Sequence, residues 1–158
     1  PLVRVDISQI IEHVGGIQPF SVVVTPREIG ENEPWVEGDI SVTGQIVNVG
    51  TVFRLTGFVS AQATLECSRC LNVFEQTVRF SFEDEFEAAM FGYADESLDI
   101  SESIRAALIF QEPMQPLCRE DCKGLCPHCG TDRNQTDCDC EKQRIDPRLA
   151  SLKRLLKE

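Results

Sequence analysis

The chain has 158 residues, enough for one packed domain plus a small metal-stapled appendage, and 42% of them are hydrophobic, so a buried core is attainable. Its formal charge of −11 argues against a general nucleic-acid binder, because such proteins present a basic surface that displaces condensed counterions. No run reaches membrane-spanning length and no signal-peptide pattern opens the visible chain, so an intracellular setting without a membrane partner is expected.

Leu2 to Val5 reads as a short strand. Asp6 follows as a helix cap with Gln9 at the third helical position, and Ile7, Ile10, Ile11 and Val14 repeat at helical spacing until Gly15-Gly16. Phe20 to Val24 is a strand closed by Pro26, and Arg27 to Pro34 is a polar loop. From Val36 to Ile46 and from Phe53 to Leu65, apolar and polar residues alternate with period two, joined by a turn around Gly50. A third such strand runs from about Leu71 to Phe86, with Phe74, Val78, Phe80, Phe82 and Phe86 in phase. Three long alternating strands in succession predict an antiparallel meander.

Ala88 to Leu98 is acidic and weakly patterned, which predicts a loop or short helix. Asp99 and Glu102 suggest a capping box before a helix whose face carries Ile100, Ile104, Ala107, Leu108 and Gln111, ended by Pro113. Leu117 to Glu141 is too poor in apolar residues to fold by burial. Asp146-Pro147 then opens an amphipathic helix with Leu149, Leu152, Leu155 and Leu156 on one face. The fold class expected is α+β: a curved antiparallel sheet or partial barrel, a few short helices and a cysteine-rich zinc-binding C-terminal segment. The expected organisation is a β-rich core over 1–116, a zinc-binding segment over 117–145 and the terminal helix over 146–158, forming one compact unit.

Eight cysteines stand in four close pairs: Cys67-x-x-Cys70, Cys118-x3-Cys122, Cys126-x-x-Cys129 and Cys138-x-Cys140. Four disulfides would require an exported chain. A redox dithiol expects a βαβ context, whereas Cys67-Ser-Arg-Cys70 falls between two strands, and an iron–sulfur site is the remaining alternative. Paired thiols suit tetrahedral zinc, each site built from two pairs, so two structural Zn²⁺ ions are expected. In Cys126-Pro-His-Cys129-Gly130 the proline shapes the turn and the glycine relieves the backbone after the second sulfur. With Cys138 and Cys140 this knuckle makes a compact local site, leaving Cys67, Cys70, Cys118 and Cys122 as a long-range staple. A cross-braced arrangement, joining Cys118 and Cys122 to Cys138 and Cys140, is the main rival.

His128 lies where a side chain points away from the ion, and His13 reads as a surface residue or cap. No nucleophile–histidine pair and no phosphate-binding glycine loop occurs, and thiols grouped in fours leave no open coordination position for catalysis. The expectation is therefore a protein that is not an enzyme and has no small-molecule substrate. Charge is unevenly spread. Eight acids and no base lie between Ser81 and Ser103, while six bases and three acids lie between Glu141 and Glu158.

Cys67-Ser-Arg-Cys70-Leu71, followed by a Phe-rich strand ending Phe-Glu-Asp-Glu-Phe, resembles the YceD family of large ribosomal RNA subunit accumulation proteins. The run from Cys118 through Cys-Pro-His-Cys-Gly130 and the ending Asp-Pro-Arg-Leu-Ala-Ser-Leu-Lys153 extend the resemblance over nearly the whole chain. The resemblance implies a bacterial cytoplasmic or organellar stromal protein without known enzymatic activity, needed for normal accumulation of large-subunit RNA. Some members lack the last four cysteines, which favours Cys67, Cys70, Cys118 and Cys122 as one site. The partners implied are a ribosomal RNA precursor or a basic ribosomal or assembly protein. Arg69, Arg119, Lys123, Arg133 and the basic tail are the cations available for such contact. A zinc-stabilised adaptor without direct RNA contact and a thiol redox protein are the alternatives.

Overall fold

The computed structural model describes residues 3–30, 35–91 and 96–142. The expected C-terminal helix over 146–158, the basic tail and part of the acidic stretch around Asp95 lie outside these residues. The chain forms two compact units: Pro1–Leu65 with Phe74–Met114, and Glu66–Val73 with Gln115–Glu158.

The first unit is built on alternation. Its strands are β1 (Arg4–Asp6), β2 (Ile17–Val24), β3 (Val36–Asn48), β4 (Val52–Glu66), β5 (Val73–Glu87) and β6 (Ser97–Asp99), where the ends of β4 and β5 run into the second unit. Period two places every second side chain on one face. In β4, Phe53, Leu55, Val59, Ala61, Ala63 and Leu65 are buried, and in β3 Val36, Ile40, Val42 and Ile46 are. Each large side chain so buried stabilises by about 1.5–3 kcal/mol. The strand order is β2-β3-β4-β5, with β2–β3 and β3–β4 antiparallel and a register shift between Glu37 and Ser41. Among the described residues the sheet is open, with β2 and β5 at its edges: the expected antiparallel sheet forms, and it does not close into a barrel.

Among the described residues there is one α-helix, α1 (Ser101–Gln111), with short 3-10 turns at Pro26–Ile29, Ala88–Met90 and Asp139–Lys142. Ile104, Ala107 and Leu108 of α1 are buried, as the helical spacing requires, while Gln111 is exposed. Asp99 serves the helix start differently from a capping box: its Oδ1 accepts from Ser101 N at 3.0 Å and Ser101 Oγ at 2.7 Å. The Trp35 indole N–H donates to the Leu108 carbonyl at 3.0 Å.

Two expectations fail for identifiable reasons. Residues 7–14 form turns and not a helix. Asp6 bonds Ser8 N, and Gly15 N and Gly16 O bond Asn48 O and N at 2.7 and 3.0 Å, so sheet pairing claims the backbone where the helix would have ended. Asn48, 2% exposed, donates to the Ile10 and Ile11 carbonyls at 2.6 and 3.0 Å, satisfying groups a helix would have satisfied internally. Ile7 and Ile10 are buried all the same. The second miss is β6, a strand within the weakly patterned acidic stretch, which pairs antiparallel with β1 through Arg4–Asp99, Val5–Leu98 and Asp6–Ser97. Three residues carry too little periodicity to announce a strand.

The second unit has a different basis. Among its described residues the buried side chains are those of Cys67, Cys70, Cys122 and Cys126, and no aliphatic or aromatic residue is fully buried. Apolar burial cannot hold these described residues together.

Candidate metal centre

The four cysteine pairs converge in this second unit as two sets: Cys67, Cys70, Cys118 and Cys122, and Cys126, Cys129, Cys138 and Cys140. Within each set all sulfurs lie within 4.8 Å of one another. This is the grouping expected from local spacing, and the cross-braced alternative is not formed.

Two turns of the same design present the sulfurs. In the first, Cys67 N donates to Asn72 O and Leu71 N to Cys67 O, both at 2.9 Å. In the second, Cys126 N donates to Thr131 O at 2.8 Å and Gly130 N to Cys126 O at 2.9 Å. The residue after the second cysteine is left-handed in both, Leu71 at φ 59° and Gly130 at φ 74°. Glycine adopts that conformation without cost; leucine does so at about 1–2 kcal/mol. The Leu71 strain persists because the surrounding turn over-determines it, a pattern associated with functional sites.

The sulfur spacing tests what the sets can hold. Four thiolates about 2.3 Å from a single tetrahedral ion stand about 3.8 Å apart, whereas a disulfide brings two sulfurs to about 2.0 Å. Cys67 Sγ lies 3.8 Å from Cys122 Sγ, and Cys70 Sγ 3.6 Å from Cys118 Sγ. All eight cysteines are free. The donor sets fit a four-coordinate, sulfur-preferring cation and do not fit cystines. His128 is exposed and outside both sets.

The local electrostatics divide each set. The backbone N–H of Cys118, with those of Cys70 and Arg69, points to the Cys67 sulfur and brings its pKa down to about 6. Burial, then the neighbouring sulfurs, pushes Cys118 up to about 12. In the other set, the Thr131 hydroxyl and N–H bring Cys129 down to about 6. Cys140 is pushed up to about 12 by the Cys129 sulfur beside it, and then by burial. Cys67 in the first set and Cys129 in the second are thus the more easily ionised thiols, the Cys129 and His128 N–H groups lowering Cys126 as well, and a divalent cation would release the remaining protons.

The cations singled out from the sequence brace the first set. Arg69 Nη1 donates to Cys122 O at 2.9 Å, and Arg119 Nη2 donates to Asn134 Oδ1 at 2.8 Å while its Nε meets Asp121 at 3.3 Å. Arg133 also has a partner. The residues missed in the sequence are Asp132 and Asn134. Asp132 Oδ1 accepts from Asn134 N at 2.9 Å, and Asn134 Nδ2 lies 3.4 Å from Cys122 Sγ. The Asp-x-Asn spacing, a side-chain-bonded turn, was the available signal.

Comparison with known proteins supplies the context. The chain is 30% identical over 130 residues to an uncharacterized protein of Mycobacterium tuberculosis, covering 75% of this chain and 61% of the relative. The chain therefore spans about three-fifths of the length of that relative. It is 35% identical over 65 residues to the uncharacterized protein YlbN of Bacillus subtilis, 40% of this chain and 38% of the other. It is also 35% identical over 68 residues to the large ribosomal RNA subunit accumulation protein YCED homolog 1, chloroplastic, of Zea mays, covering 42% and 23% of the two chains. No solved structure gives a significant match. No described helix is long and apolar enough to cross a membrane. The model of the large ribosomal RNA subunit accumulation protein YceD matches residues 55–156, which include both cysteine sets, and the chain belongs to that family.

Proposed function

We propose that this protein is a non-catalytic factor supporting accumulation of large-subunit ribosomal RNA, with one structural Zn²⁺ ion in each cysteine set. The gathering of all eight sulfurs in two closed fours is the observation that carries this reading. Cys67, Cys70, Cys118 and Cys122 would hold one ion, and Cys126, Cys129, Cys138 and Cys140 the other. Four thiolates leave no coordination position for substrate or water, so the ion supplies cohesion to a segment whose described residues form no apolar core. Family membership supplies the ribosomal direction, and the setting proposed is a bacterial cytoplasm or organellar stroma. Metal analysis of the purified protein is expected to find two zinc ions per chain with slow thiol labelling. Iron, or no metal with fast labelling, would favour the cluster or redox alternatives. Binding of a precursor ribosomal RNA fragment, measured against salt concentration, tests direct contact; no binding at low salt would restrict the role to one mediated by protein.

A specific observation favours the second reading, an adaptor for a basic ribosomal or assembly protein. Within the first unit, Glu83 and Asp84 of β5 and Ala107 and Phe110 of α1 line one groove. Phe110 is 86% exposed and Met114 99% exposed. An apolar anchor rimmed by carboxylates suits a cationic protein segment. Recovery of such a partner after nuclease treatment, lost in Phe110→Ser, would support the adaptor. Recovery that nuclease abolishes would support RNA-mediated contact.

A further inference from the structure

The nine-residue step from Cys129 to Cys138 joins two sulfurs of the second set, yet its middle is bonded to the first. Asn134 Oδ1 accepts from Lys123 N at 2.8 Å and from Arg119 Nη2 at 2.8 Å. Its Nδ2 reaches Cys122 Sγ at 3.4 Å. Arg133 N donates to Gly124 O at 2.9 Å, and Leu125 and Asp132 form an isolated bridge. Asp132 holds Asn134 in place, its Oδ1 accepting from Asn134 N at 2.9 Å and Nδ2 at 2.8 Å. Asp132 Oδ2 meanwhile accepts from Asn72 Nδ2 at 3.3 Å, two residues after Cys70. One loop therefore touches the segments that carry both pairs of the first set.

We propose that this loop makes the two metal sites interdependent, with Asn134 as the positioning residue: an ion in the second site tethers the loop ends and thereby seats the amide on Cys122. The proposal rests on the metal reading of the two sets. Four thiolates around a dication carry two surplus negative charges. Hydrogen bonds to the sulfurs spread that charge and strengthen ligation, and losing one such outer contact lowers metal affinity by about 10- to 100-fold. Cys122 is 2% exposed, so water does not readily replace the amide. With the second ion gone, the loop ends separate, and ordering Asn134 must be met from the weak contacts of a half-exposed loop. Linkage makes the effect reciprocal: filling either site raises the affinity of the other by the same factor.

The test is competition of zinc with a chromogenic chelator, with the two sites resolved by NMR of bound cadmium. It uses the full chain, Asn134→Ala, the chain disabled at the second site through Cys138→Ser and Cys140→Ser, and the combination. Asn134→Ala is expected to weaken the first site about tenfold and to shift one cadmium resonance more than the other. Disabling the second site is expected to weaken the first by a similar factor, and adding Asn134→Ala to that chain should change little further. A cadmium signal from the first site shows that each variant retains its fold there. Equal first-site affinity with the second site intact or disabled, or a full additive loss in the combination, would overturn the coupling while leaving two bound ions. No four-sulfur cadmium signal in the unmodified chain would overturn the metal reading and the coupling with it.

Discussion

Removing the metal should unfold one unit and spare the other. The core of the first unit, from Val5 through Leu108, includes none of the cysteines. The described part of the second unit buries only cysteine sulfur and no hydrocarbon side chain. A metal in the first set cross-links positions 48 residues apart, as between Cys70 and Cys118. Against a fully unfolded chain, a cross-link of that span is worth about 4 kcal/mol in loop entropy. The corresponding link in the second set, nine residues between Cys129 and Cys138, is worth about 2.5 kcal/mol by the same relation. Cys67→Ser should therefore cost more than Cys126→Ser, by roughly 1.5 kcal/mol. Hydrogen exchange read by mass spectrometry, before and after treatment with a strong chelator, checks both claims. Amides of residues 66–73 and 115–142 should lose protection, while those of β3 and β4 keep theirs. Uniform loss across β3 and β4, or a larger effect of Cys126→Ser than of Cys67→Ser, would refute the reasoning.

Gly130→Ala should weaken the second site by about 1 kcal/mol from backbone strain alone, since an added Cβ meets nothing within 4 Å. Leu71→Gly, at a 56% exposed residue, should be close to neutral, strain relief offsetting the entropy of glycine; chelator resistance measures both. Asn48→Ala should destabilise the first unit by about 2–3 kcal/mol in denaturant titration, since it removes the amide bonds to the Ile11 carbonyl and the Gly50 N–H and leaves the Ile10 carbonyl with His13 N alone.

The long strands were legible because alternation is a local property: Val36 to Ile46 and Phe53 to Leu65 name their own buried face, and the structure extends each by only a residue or two. Helix α1 was legible for the same reason, through Ile104, Ala107 and Leu108 at helical spacing. The four cysteine pairs were legible because short spacing forces two sulfurs toward one point. Three things were decided only in three dimensions. Residues 7–14 carry a helical pattern, but Asn48 and the paired backbone of Gly15 and Gly16 took their hydrogen bonds. The β1–β6 pairing joins segments more than ninety residues apart, and neither is long enough to declare itself. The contact of Asn134 with Cys122 depends on a loop returning from one cysteine set to the other. Short-range periodicity and spacing are written along the chain, whereas the competition for backbone donors and the support of a sulfur by a distant amide exist only once the chain has closed upon itself.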